Sequence, residues 1–544
     1  MKKAISLLLA GLMTTVFFTG CKSTSPATSD ATPTSLNTSD IKDGKFVTTK
    51  HIKVEVYDRA NTGGSKPENN YYTQWIHDQM LALHNVDVTF VPVPRWTETD
   101  QINNLLAAGT APDVCVTYSY PTIQTYANMS GVYDLNADLK KYEKWLPNLY
   151  GFLGKDNLYY DQDPSAGNVW AIEAKLVNNS RINTFVRQDW LTKLNIKAPT
   201  TTAEFETMLK AFKDNASTLL GANAAKMVPF SISYDVGWRA ATLLDSFVPD
   251  NITDKDLYIN GFDDRHLLLP GNKQGIKVLN TWYNEGLIWK DFALYPAGDK
   301  TEDNMIKAGY VGAFTHNFDY PYRDGDNGIT ASLHKLVGPD AQYVAIDPFK
   351  DDAGKTRKFV SAPIDRKVFF PSTNKEPLAS ELYLDFISSP DTLKFLQFGD
   401  EGVTHVTQAD GSFKTIAATG DKIMNSGNNI DYTITANGLV KDGKLDVKSL
   451  AVGYAGVDSS LIQKSYDTAQ TNTRVSPHFN VGQIQAETGV GQALNTKRDT
   501  MWDQAVVAAP DKFDSVYDNG LKDYLSSGGQ AIIDERKAAI AKLK

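Results

Sequence analysis

Cysteine is nearly absent: the 544 residues hold two, Cys21 and Cys115, so no disulfide framework can organise the fold. A chain of this length has enough residues to bury a core without one. An excess of positive charge is missing too. The 64 acidic and 55 basic side chains give a formal charge of −9, which argues against nucleic acid as a partner. Nor is there an HExxH, GxSxG, CxxC or P-loop motif. "GVGQALN" (489–495) lacks the third glycine and the preceding strand that a dinucleotide site needs. The eight histidines are scattered, and His77 and His84, seven positions apart, cannot share one metal ion directly. These absences assign no catalytic residue, metal or cofactor. Asp324 and Asp326 in "RDGDNG" read as turn-forming acids rather than a glycosidase pair or a calcium loop. Cys115, inside an apolar strand with no basic neighbour in sequence, reads as an inert buried thiol.

Long apolar runs are missing except one. Lys2 and Lys3 precede the run Ala4 to Phe18, which has the layout of a secretory signal and falls short of the roughly 20 residues a membrane span needs. Without those two lysines the formal charge becomes −11. Residues 1–21 are therefore expected to be a leader. Gly20-Cys21 resembles the lipobox of bacterial lipoproteins, where the cysteine is acylated, although Phe18 stands where leucine is usual. The stretch 22–44 is rich in Ser, Thr and Pro and is expected to be a disordered tether.

From residue 45 onward the chain is patterned. "HIKVEVY" (51–57), "VDVTFVPV" (86–93) and "DVCVT" (113–117) read as strands. Between them lie a helix over 71–84 and another ending at Gly109, which suits a left-handed cap. This β-α-β-α-β order predicts a parallel sheet, with ligands received beyond the carboxyl ends of its strands, at 58–64 and 118–121. Further along, Thr201 and Glu204 form a capping box ahead of the stripe Phe205, Met208, Leu209 and Phe212. Helices are also expected at 273–286 and 378–387, with Ser389 and Pro390 opening the next.

"NNLLAAGTAPDVCV", "GNVWAI" (167–172), "DWLTKLNIKAPTTTAEFETMLKAF" and "FGDEGVTH" (398–405) occur in an order and spacing that resemble the solute-binding proteins of ABC importers. The likeness is to the maltose-binding-like family 1, in its long LipO-like lipoprotein branch. "YLSSGGQAIIDERKAA" (524–539) looks like that family's closing helix. Departures include Ile172-Glu173 where Ile-Pro is usual, Asn195 for glycine and His405 for tyrosine. The resemblance implies an α/β fold of two lobes (type II, periplasmic-binding-protein-like) with the ligand cleft between them. It places lobe 1 at 45–168 with 360–420, and lobe 2 at 169–359 with 421–544. Some relatives carry a calcium loop after the Asp-Trp-Leu helix. Here 213–230 has Asp214 as its only carboxylate, so no metal is expected there.

For function, the resemblance implies capture of a carbohydrate, an oligosaccharide above all, and delivery to permease subunits. The protein is expected to be a monomer, lipid-anchored through Cys21 at the cell surface or in the periplasm. Aromatic rings stack on sugar faces while polar groups bond the hydroxyls. The candidates by location are Asp58, Arg59, Asn61, Trp96, Tyr118, Tyr120, Asp235, Trp238, Asn317, Phe318, Asp319, Tyr320, Glu401 and His405. The acidic composition argues against polyuronates unless Arg or Lys cluster locally. Alternatives are a binder of peptide or another small polar solute, a surface glycoside hydrolase needing two carboxylates about 5–10 Å apart, and an adhesin that does not close.

Overall fold

A computed structural model describes residues 40–60, 65–295, 299–323, 325–351, 353–425, 427–454 and 456–543. The leader with Cys21, most of the tether, Asn61 and Asp324 lie outside the described residues. The last tether residues are folded: Ile41–Lys42 pairs with Lys45–Phe46, and Phe46 inserts into the first core.

The first lobe opens with β1 (Lys50–Asp58), α1 (Tyr71–His84), β2 (Val86–Pro94), α2 (Glu98–Ala107) and β3 (Cys115–Thr117). α1 begins at Asn70, whose side chain accepts from Tyr72 N and Thr73 N while Thr73 returns the bond, a reciprocal cap. Past α2, Gly109 takes φ +66° and the chain turns into β3. β1 and β2 are parallel along their whole length, and β1 meets β3 through the parallel bridge Val54–Val114. Where that ladder ends, the buried Glu55 carboxylate accepts from Val116 N at 2.8 Å in place of a backbone carbonyl. β4 (Ile172–Leu176) then leads across to the second lobe.

There β5 (Ile182–Arg187), β6 (Val228–Ser231), β7 (Val311–Asn317) and β8 (Tyr343–Ile346) form a sheet in the order β8-β5-β7-β6. The helix Thr202–Asp214 lays Phe205, Met208, Leu209 and Phe212 into its core. Thr201 caps that helix as expected, but Glu204 reaches one residue further back, accepting from Thr200 N and Oγ1 at 2.8 Å. The C-terminal helices Gly491–Val507 and Phe513–Tyr524 join the same core, which buries Trp282 and Trp502.

The chain returns to the first lobe as β9 (Ile364–Phe369) and β10 (Ala436–Asn437), completing the order β2-β1-β3-β9-β4-β10. Tyr432, Ile434, Ala436 and Val440 pack in the first core, so the expected start of the second lobe at 421 falls too early. The apolar stretch following Asn429 fills the space beside β4. A later segment ties the lobes again. Thr473–Val475 pairs with Lys358–Val360, then His478 stacks on Tyr160 at 3.8 Å and Asn480 donates to Gln162 O.

"FGDEGVTH" turns on Gly399, at φ +70°, where an added Cβ would lie 2.2 Å from Thr404 Oγ1. Gly399→Ala combines backbone strain with a clash and is expected to cost about 1–3 kcal/mol, read as a lower urea midpoint.

Candidate functional site

The carboxyl ends of β1, β2 and β3 converge on a stacked group in the first lobe. Tyr118 lies parallel to Tyr57 (ring centroids 6.3 Å apart, 14° between planes), and the Arg95 guanidinium sits 4.3 Å from the Tyr118 ring. Glu98, at the start of α2, fixes this arrangement by accepting from Arg95, Thr117 Oγ1 and Tyr118 N. Trp96 beside it is 77% exposed, unusual for so large an apolar ring. Arg59 makes two parallel bonds to Asp431, at 2.7 and 2.8 Å, and the Asp431 side chain is wholly buried. Asp58 accepts from Ala60 N. Of the expected residues of this lobe, Tyr118, Trp96, Arg59 and Asp58 thus lie at one sheet edge. Tyr120 instead opens the helix Tyr120–Asn128 and donates to Asp161 O at 2.8 Å.

The second lobe presents a matching aromatic group after β6 and β7. Asp235 caps the short helix Val236–Arg239 by accepting from Trp238 N. The Trp238 ring meets His316 edge-on at 4.7 Å, and His316 stacks flat on Tyr320 at 3.4 Å. Tyr320 is pinned through its hydroxyl, which donates to Asp303 at 2.7 Å. Burial, with Arg239 and Arg323 nearby, drives the His316 pKa far below its ordinary value, so the ring is neutral. Its Nδ1 accepts from Asn317 N at 2.8 Å, which leaves the proton on Nε2.

Two residues expected to face ligand here do not. Phe318 is 4% exposed and turned into the second core against Tyr466, because β7 ends there and its ring continues the apolar side. Asp319 is buried as a clamp, accepting from Arg323 and from the Tyr454 hydroxyl, both at 2.6 Å. The expected pair Glu401 and His405 is also displaced from the cleft. His405 is 1% exposed between Phe398 and Phe413, and Glu401 accepts from Thr407 N and Oγ1 on the same small hairpin.

A cavity of about 870 Å³ opens where the lobes join. The second lobe contributes Asp235, Trp238, Asn317 and Arg265, the crossovers contribute Arg181 and Ser361, and Tyr160 comes from the first lobe. The Tyr160–His478 stack separates it from a smaller space of about 310 Å³ walled by Tyr120, Trp170 and Tyr258. Neither space is lined by Glu401 or His405, nor by Asp58, Arg59, Trp96, Tyr118 or Tyr320. Sequence reasoning missed Arg95, Tyr160, Arg265, His316 and Asp431. Arg95 and His316 were adjacent to the chosen Trp96 and Asn317, while Tyr160, Arg265 and Asp431 come from segments that carry no strand-end signal.

Cys115 is fully buried and its thiol pKa is pushed up by burial and by Glu55 and Asp113, the reverse of a nucleophile's environment. Asp503, near Asp235, has its pKa raised to about 7 by burial and then by Asp499 and Asp235. A carboxyl that keeps its proton more tightly when folded adds stability at low pH, and this is lost as pH rises from near 3.8 through about 7. Asp503→Asn is therefore expected to flatten the fall in melting temperature that calorimetry should record for the unaltered protein between about pH 5 and about pH 8.

Several known proteins share the fold or the sequence pattern of this chain. A family described as bacterial extracellular solute-binding protein matches residues 75–397. A polygalacturonan/rhamnogalacturonan-binding protein, YtcQ of Bacillus subtilis (strain 168), is 23% identical over 506 residues, covering 86% of this chain and 88% of its own. Two solved structures share the fold. The alginate-binding protein AlgQ2 has a TM-score of 0.58 at 19% identity, covering 92% of this chain and 100% of its own. An HMO-binding solute-binding protein of Bifidobacterium longum infantis has a TM-score of 0.61 at 16% identity, covering 90% and 98%. Both are two-lobed solute-binding proteins, and the arrangement of two sheets and two cores is shared.

Proposed function

Because the chain belongs to the bacterial extracellular solute-binding protein family, we propose that it captures an oligosaccharide between its lobes and hands it to the permease of an ABC importer. The observation that supports this reading best is the pair of aromatic groups, Tyr57–Tyr118 with Arg95 and Trp238–His316–Tyr320, on the two lobes. Flat rings receive the apolar faces of pyranose units, and the Arg and Asp groups beside them bond hydroxyls. The names of the B. subtilis relative and of the two structural neighbours point the same way.

The ligand set we propose is Arg59, Trp96 and Tyr118 on one lobe and Asp235, Trp238, Asn317 and Tyr320 on the other, joined by Arg95, Arg265 and His316. The lobes meet at crossovers near 177–181, 358–362 and 441–446. The protein binds without turning its ligand over, works outside the cytoplasm as a monomer, and is held to the membrane by acylation of Cys21. A thermal-shift screen against oligosaccharides tests this. Expected is a rise in melting temperature with at least one glycan, recovered chemically unchanged, since a ligand specific to the folded state stabilises it. A peptide library that raises the melting temperature while every glycan fails would sink the carbohydrate reading.

A further inference from the structure

Among the described residues, the arginines beside the two aromatic groups and the large cavity are, with one exception, already engaged. Arg59 is held by Asp431 through two bonds, Arg95 by Glu98 at 3.1 Å, and Arg323 by Asp319 at 2.6 Å. Arg265 lies between Asp235 at 2.9 Å and Asp264 at 2.6 Å. Two lysines near the crossovers are also paired, Lys358 with Asp347 and Lys367 with Glu173, each at 3.3 Å, whereas Lys175 and Lys441 donate to backbone carbonyls. The exception is Arg181, exposed at the rim of the large cavity with no carboxylate bound to it among the described residues. Asp58, at the end of β1, is a carboxylate that accepts from the Ala60 N–H and pairs with no described cation.

An Arg–carboxylate pair offers a ligand both kinds of bond. Arg59 spends Nε and Nη2 on Asp431 and keeps further N–H donors, while a carboxylate has several lone-pair directions to offer. A hydroxyl, which donates and accepts at once, matches such a pair. An incoming carboxylate does not, because each paired guanidinium it could reach has a negative group within hydrogen-bond distance.

We infer that the cleft selects neutral, polyhydroxylated oligosaccharides and discriminates against uronate chains, in contrast to what the names of the B. subtilis relative and the alginate-binding protein say of those proteins. The inference rests on the carbohydrate reading above and narrows it. The whole-chain charge of −9 adds long-range repulsion of a polyanion.

The test is calorimetry on the full chain with two panels. One holds neutral oligomers: galactan, arabinan, xylan, mannan and carboxyl-reduced oligogalacturonate. The other holds oligogalacturonate and oligoalginate. Expected is a best neutral ligand bound about tenfold or more tighter than any uronate, with affinity nearly unchanged between about 50 and about 500 mM salt. A uronate bound as tightly as the best neutral glycan, or more tightly, overturns the inference and leaves the carbohydrate reading standing. No binding in either panel removes both. As a second arm, Asp235→Asn releases Arg265 from one of its two carboxylates, leaving Asp264, while an amide oxygen still caps the helix. Uronate affinity is expected to rise relative to neutral glycan in this variant, and a fall in that ratio counts against the inference.

Discussion

Glu302→Ala is expected to lower the stability of the protein by about 3–5 kcal/mol, because it strands a buried guanidinium. Arg239 and Glu302 are both buried and meet at 2.6 Å. The second Glu302 oxygen accepts from Ser231 Oγ at 2.6 Å, and Arg239 also donates to Thr315 O at 2.9 Å. Removing the carboxylate leaves a positive charge in a low-dielectric interior with one carbonyl for company. Glu302→Gln keeps the shape and part of the bonding and is expected to cost less. In urea the alanine variant should show a lower midpoint with an unchanged slope, since the surface exposed on unfolding is the same. An alanine variant as stable as the parent would mean the pair is solvated in solution. Ligand affinity should fall as well: Arg239 lies 4.9 Å from the Trp238 ring and helps keep the His316 ring, stacked on Tyr320, neutral.

Tyr118→Ala is expected to weaken oligosaccharide binding by about 2 kcal/mol, close to thirtyfold, the scale of a central aromatic contact. The ring is held by Tyr57 on one face and Arg95 beside it, so in the free protein it is already in position. Tyr118→Phe preserves the face and should bind nearly as the parent does. Trp238→Ala tests the opposite lobe and should behave like Tyr118→Ala. Calorimetric affinity unaltered in both alanine variants would place the binding face elsewhere.

Much of the fold was legible because its signals are local. The period-2 runs at 51–57 and 86–93, the stripe from Phe205 to Phe212 and the Ser389-Pro390 start each depend on residues a few positions apart. The boundary of the second lobe was not, since Tyr432 and Ile434 belong to the first core through contacts with strands some 250 residues earlier in the chain. The candidate site divides the same way. Tyr118 and Trp238 follow strands and could be placed by rule. His405 could not be told from a ligand residue by sequence, because its burial depends on Phe413 crossing over it. Asp431 was invisible for a related reason: its partner Arg59 stands 372 positions away.

Pairing the cleft arginines with carboxylates also changes the entropy of binding. Arg59, Arg265 and Arg323 and the ring of Tyr320 are fixed by their neighbours before any ligand arrives. Freezing a long side chain during binding costs roughly 0.5–1.5 kcal/mol. In this protein that loss has already been met during folding, so the ordering left for a ligand to impose is that of its own glycosidic torsions and of the two lobes.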